Sequence, residues 1–161
     1  MSKQIPLTQG KFATVDDEDY DRLMKYKWCA RIRDDGAAWY ACRKEIVDGK
    51  HHQQQMHRFI LDAPNGMLCD HVNGNGLDNR RVNLRLATPK QNTMNRGANR
   101  NHIGFKGVTH IKPGKFQAQI KVDGKFIYLG LFDNARSAAI AYNIAAEKYH
   151  GEFARLNVIP K

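Results

Sequence analysis

Between Leu68 and Arg96 the chain reads LCDHVNGNGLDNRRVNLRLATPKQNTMNR, and this run constrains the fold more than any other. Met67-Leu68-Cys69-Asp70-His71 has the composition of a short strand, and Asn73-Gly74-Asn75-Gly76 that of a turn. Asn83-Leu84-Arg85-Leu86 would return as a second strand. Thr88-Pro89 starts a helix, with proline at the first position, where its missing N–H costs nothing, and Asn92 one turn inside. Asp70-His71, then Asn83, then Asn92 follow in that order, twelve and nine residues apart after His71.

The rest of the chain divides around that run. Its 161 residues suffice for one medium domain or two small ones. Residues 1–66 carry 11 basic and 10 acidic side chains, whereas residues 67–161 carry 15 and 6. A positive excess confined to the second half points to a polyanionic partner. No apolar run reaches the roughly 18 residues of a membrane span. The start Met-Ser-Lys-Gln-Ile-Pro has no apolar signal core, so a cytoplasmic location is expected, with no membrane role. Cys29, Cys42 and Cys69 form no Cys-x-x-Cys pair and read as buried reduced thiols.

Upstream, Phe12–Val15 reads as a strand, and Asp16 as the cap of a short helix with Asp17, Glu18 and Asp19 in its first turn. Tyr20, Leu23, Met24 and Trp28 would share one face of that helix. Strands are expected at Trp28–Arg33, Ala37–Val47 and His51–Ile60, with Asp35-Gly36 and Asp48-Gly49 as turns. Gly97-Ala98-Asn99-Arg100-Asn101 would end the later helix and form a polar linker. Strands then follow at Phe105–His110, Lys115–Val122 and Lys125–Phe132, with turns at Pro113-Gly114 and Asp123-Gly124. A helix over Asn134–His150 would bury Ala138, Ala141, Tyr142, Ala145 and Tyr149.

Asp70 and Asn92 offer two hard oxygen ligands, suited to Mg²⁺ or Mn²⁺. His71, on the opposite side of the strand from Asp70, has the chemistry of a general base. Asn83 can bond backbone across the loop and hold His71, while Arg58, Arg80, Arg81 and Arg85 are candidates for phosphate. Met56-His57-Arg58-Phe59, Asp70-His71-Val72-Asn73-Gly74, Asp78-Asn79-Arg80-Arg81-Val82-Asn83-Leu84 and Thr88–Asn92 together resemble the HNH nucleases of phage and intron-encoded homing endonucleases. The resemblance implies a ββα-metal core with one divalent ion, Asp70 and Asn92 as ligands, His71 as base and Asn83 as its orienting partner. The third position of the motif is commonly His, so Asn92 should weaken metal affinity. His57 is either a packed strand residue or part of the site; His51, His52, His102 and His150 read as surface.

Gly104–Val108, Gly114–Ile120, Tyr128–Phe132, Ala138–Ala146 and Leu156-Asn157 in that order resemble an AP2 DNA-binding domain. The resemblance implies a three-stranded sheet laid in the major groove, with Lys106, Thr109, Lys115, Gln119, Lys121 and Tyr128 at contact positions. Alternation turns Phe116, Ala118 and Ile120 inward and Gln117, Gln119 and Lys121 outward. Where the plant members have mostly Arg and Trp, this chain has Lys, Gln and Tyr, which predicts relaxed sequence preference.

The expected fold is α+β in three parts: a mixed α/β N-terminal scaffold over 1–56, a nuclease core over 57–101 and an AP2-like module over 102–161. The expected activity is metal-dependent nicking of double-stranded DNA by a monomer, in host cytoplasm if phage-encoded. A non-cleaving DNA-binding regulator is the alternative, and an RNA-binding module stands third.

Overall fold

A computed structural model describes residues 1–33, 38–97 and 103–160. The chain forms two compact units, Met1–Asn92 and Thr93–Lys161.

The first unit opens with an antiparallel hairpin, β1 (Ser2–Pro6) and β2 (Phe12–Asp16), running in register from Ser2 opposite Asp16 to Pro6 opposite Phe12. Of the five β1 residues only Ile5 is buried, so no alternation marks the strand in the sequence. The helix α1 (Asp17–Met24) follows. Asp16 stands at its N-cap position without a side-chain cap bond; its Oδ2 instead accepts from the Arg81 N–H at 2.7 Å. The expected four-residue face is corrected: Leu23 is buried, Met24 is exposed, and Trp28 lies beyond the helix, its indole N–H donating to Leu23 O at 2.8 Å.

A meander follows, β3 (Cys29–Ile32), β4 (Trp39–Val47) and β5 (Lys50–Gln55). The Asp48-Gly49 turn closes between Val47 and its partner Lys50, whereas Asp35-Gly36 lies outside the described residues. Cys29 faces Cys42 across β3 and β4 with Sγ atoms 3.4 Å apart, and all three cysteines are free thiols.

The strand expected over His51–Ile60 stops at Gln55, and residues Met56–Leu61 form a helix, α2. Met56, His57 and Ile60 are buried, the i, i+1, i+4 spacing of a helix face. Asp62 ends the helix in a left-handed conformation (φ 47°). The motif follows as β6 (Leu68–His71), antiparallel to β7 (Leu84–Ala87), and then α3 (Pro89–Met94). Arg81–Asn83 form a 3-10 turn, so the return strand starts one residue later than expected.

Ile5, Val15, Leu23, Trp28, Met56, Ile60 and Leu84 meet in one core. Each fully buried aliphatic side chain there contributes about 1.5–3 kcal/mol. The scaffold strands and the motif strands are therefore held by the same contacts.

In the second unit β8 (Val108–Lys112), β9 (Lys115–Val122) and β10 (Lys125–Phe132) form an antiparallel sheet in the order β10-β9-β8, followed by α4 (Ala135–His150). The first strand starts at Val108, not Phe105. Gly107 has φ +73°, and a Cβ there would stand 2.0 Å from the Tyr142 ring, so the chain turns before entering the sheet. Asn134 caps α4, its side chain accepting from Ser137 N–H at 2.8 Å. Ala138, Ala139, Tyr142, Ala145 and Ala146 are buried; these small side chains let the helix lie close on Val108, Ala118 and Ile120. Two expectations are corrected at its end: Tyr149 is exposed, and His150 is buried with Nε2 3.1 Å from Lys121 O. Asn157 closes the unit. It accepts from Lys106 N–H at 2.6 Å and donates from its own N–H to Asn143 Oδ1 at 2.8 Å.

Candidate active site

Asp70 and His71, adjacent on β6, are both buried, at 6% and 5% exposure. Asp70 faces Arg85 directly across the β6–β7 pair, and Arg85 donates from Nε and Nη2 to Asp70 Oδ2 at 2.9 and 2.7 Å. His71 packs at 4.9 Å and 87° against the ring of His57, and at 5.7 Å against Tyr40. Its Nε2 lies 3.4 Å from Asn79 Oδ1. Burial lowers the His71 pKa below its ordinary 6.5, against the raising influence of the Asn79 bond. His57 is pushed down to about 3, by burial first and then by its neighbours His71 and Arg58. Both rings are therefore neutral at pH 7, and a neutral imidazole is the form that accepts a proton.

The loop between the strands is built from amides. Asn83 Oδ1 accepts from Asn73 N–H at 2.9 Å and its Nδ2 donates to Asp78 O at 2.7 Å. One side chain thus ties the two ends of the loop. Asn73 Nδ2 donates to Asp78 Oδ2 at 2.9 Å, and the side-chain oxygens of Asn73 and Asn75 accept from the N–H groups two residues on. Asn83 bonds loop backbone, as expected for it, and Asn79 Oδ1 stands as an acceptor at the His71 ring.

The arginines have protein partners. Arg58 donates to the carbonyls of Met67 (2.7 Å) and Ala63 (3.0 Å), which shapes the turn before β6. Arg80 grips Asp78 through two bonds of 2.7 Å, and this pairing lowers the Asp78 pKa. Arg81 donates to both Asp19 oxygens at 2.8 and 2.9 Å. A guanidinium with one face on a carboxylate can still offer its remaining N–H groups to phosphate.

Asn92 is half-buried on α3. That helix is started by a reciprocal box: Gln91 N–H donates to Thr88 Oγ1 at 3.2 Å and Thr88 N–H to Gln91 Oε1 at 2.8 Å. Asp70 and Asn92 would offer one carboxylate and one amide oxygen, a donor set suited to a hard divalent ion that completes its shell with water and phosphate oxygens. Among the described residues no three His, Cys, Asp or Glu side chains gather, so the ion would depend on those outer oxygens.

Tyr40 and Asn79 were missed by the sequence reading. Tyr40 reaches the site from β4, and only the tertiary fold brings it there. Asn79 carried a weak signal, as one amide among several in the loop.

In the second unit, register puts Thr109, Gln117 and Leu131 side by side on the sheet face away from α4, with Gln119 beside Tyr128 and Lys121 beside Phe126. Lys121 and Tyr128 are exposed, and the Lys121 ammonium stands 5.5 Å from the Phe126 ring. Gln117 Nε2 donates to Gln119 Oε1 at 3.4 Å. Lys115 pairs with Asp133. Lys106 is set apart from this face. Its Nζ donates to Met94 O, and burial lowers its pKa to about 8.

Asp70 and His71 thus lie buried on one of two paired strands, with the short helix α3 directly after the second strand. Residues 62–94 match the HNH endonuclease family. The chain is 33% identical over 157 residues to an uncharacterized HNH endonuclease of Acanthamoeba polyphaga mimivirus, covering 94% of this chain and 77% of that protein. It is 34% identical over 94 residues to Protein 3.8 of Escherichia phage T7, covering 57% of this chain and 77% of the relative. A shorter stretch of 56 residues is 43% identical to the dehydration-responsive element-binding protein 2D of Arabidopsis thaliana, covering 34% of this chain and 27% of the plant protein. No solved structure matches the chain. The chain belongs to the HNH endonuclease family, which implies DNA as its substrate.

Proposed function

We propose that this protein is a metal-dependent DNA endonuclease of the homing type, with a ββα-metal core over 57–101 and an AP2-like module over 102–161 that binds the target. The observation carrying this reading is His71, a buried imidazole kept neutral and gripped on its edge and its flanks. Such a group can take the proton of a water molecule as it attacks phosphorus. The P–O3′ bond then breaks, the departing 3′ oxygen takes a proton from solvent water to give a 3′ hydroxyl beside the 5′ phosphate, and the imidazolium returns its proton to solvent. Asp70 and Asn92 would hold one Mg²⁺ or Mn²⁺ ion, which when bound supplies charge neutralisation at the phosphate. Arg85 fixes the Asp70 carboxylate, and Asn83 keeps the loop closed beneath His71.

The AP2 assignment is supported by the three-stranded sheet packed on one helix and by the likeness to the plant DNA-binding protein. Its outward face combines Thr109, Gln117, Gln119, Lys121 and Tyr128, which mixes phosphate and base-edge chemistry. Lys106, half-buried and bonded, serves the unit's own structure. The test is supercoiled plasmid incubated with Mg²⁺, with and without EDTA, against the His71→Ala protein. Cleavage that needs both Mg²⁺ and His71 supports the reading. Binding without cleavage assigns the chain to the regulator alternative.

A further inference from the structure

We propose that Asn79 is the positioning residue for His71, fixing the imidazole's tautomer and plane so that its lone pair lies on Nδ1. The inference rests on the reading of His71 as the base. Asn79 is fully buried, at 0% exposure. Its side-chain Nδ2 donates to Gly76 O at 3.4 Å. An amide whose nitrogen is turned to a carbonyl presents its oxygen the other way, and Asn79 Oδ1 lies 3.4 Å from His71 Nε2. That oxygen has no proton to give, so Nε2 carries the N–H. In a neutral imidazole the remaining nitrogen, Nδ1, then holds the lone pair.

The amide is itself held by the N-terminal hairpin. Asn79 N–H donates to Thr14 O at 2.7 Å, and Thr14 N–H donates to Leu77 O at 2.8 Å, a parallel bridge joining β2 to the loop. On the other side the loop is pressed against β4. A Cβ on Gly76 would stand 2.4 Å from Trp39 O and 2.6 Å from the Tyr40 ring. His57, perpendicular to the His71 ring, and Tyr40 flank it and oppose rotation of the ring. The N-terminal strands, which bear no catalytic group, thus set the geometry of the base.

The test uses the full chain labelled with ¹⁵N, read by long-range ¹H–¹⁵N correlation of the imidazole rings at a pH where His71 is neutral. The Nε2–H tautomer is expected in the parent and in Asn79→Asp, which keeps an acceptor; a mixture is expected in Asn79→Leu. In plasmid cleavage with Mg²⁺, Asn79→Leu should lower kcat by about 10- to 100-fold with KM nearly unchanged, and Asn79→Asp should recover most of it. An Nδ1–H tautomer in the parent, or an Asn79→Leu protein with parental tautomer and kcat, overturns the proposal. If Asn79→Leu fails to fold, the parent spectrum alone decides. Parental cleavage by His71→Ala would refute the base reading instead, leaving the tautomer question to the spectra.

Discussion

Acid should destabilise the first unit through His57, by an amount set by its burial. The ring is 4% exposed, its buried Nδ1 finds no hydrogen-bond partner among the described residues, and its pKa falls from 6.5 to about 3. The unfolded chain regains the ordinary value, so below pH 6.5 it binds a proton that the folded chain refuses. The stabilisation is therefore complete above pH 6.5 and lost as pH falls toward 3. With about 1.36 kcal/mol per pH unit, roughly 2 kcal/mol should disappear between pH 7 and 5. At an assumed urea slope of about 1–2 kcal/mol/M, the unfolding midpoint should drop by about 1–2 M. Trp28 and Trp39 are the chain's two tryptophans and both lie in this unit, so their fluorescence follows its unfolding. His71, also lowered by burial, contributes in the same direction, and His57→Phe isolates the His57 share. The variant keeps an aromatic ring and removes the titration, so its midpoint should vary less with pH. A His57→Phe protein with the parent's full pH dependence would refute this reasoning.

Further outcomes follow from the same geometry. His71→Ala should lower the cleavage rate about 10²–10⁴-fold with DNA affinity nearly intact, checked by plasmid nicking beside gel shifts. Asp70→Ala should raise the Mg²⁺ requirement more than Asn92→Ala, because Asp70 brings the charge; parental titration curves for both would remove them as ligands. Lys121→Ala should reduce the salt slope of DNA binding by about 0.9, whereas Lys106→Ala should act mainly on folding of the second unit. A parental slope for Lys121→Ala would take the sheet face out of the interface. One site engages one phosphodiester at a time, so open-circle plasmid should precede linear product; linear DNA formed directly would require a second, paired site.

The local chemistry of the chain was legible because it is written in short-range signals. Asp-Gly and Pro-Gly turns fixed β9 and β10 to the residue, and the Thr-Pro start and Asn134 cap located α3 and α4. Asp70, His71, Asn83 and Asn92 stood out because their types and spacing resemble the HNH motif. The tertiary structure decided whatever depends on a partner distant in sequence. β1 exists because β2 pairs with it, and α2 replaced a strand because Met56 and Ile60 have a common core to enter. His57 and Tyr40 became flanks of His71 once β4 and α2 converged, and Asn79 came to the ring through the backbone bridge to Thr14. A sequence specifies which side chains have the chemistry of a base, a ligand or an acceptor. Their tautomers, neutral states and pairings come from burial and from hydrogen bonds that only the folded chain brings within reach.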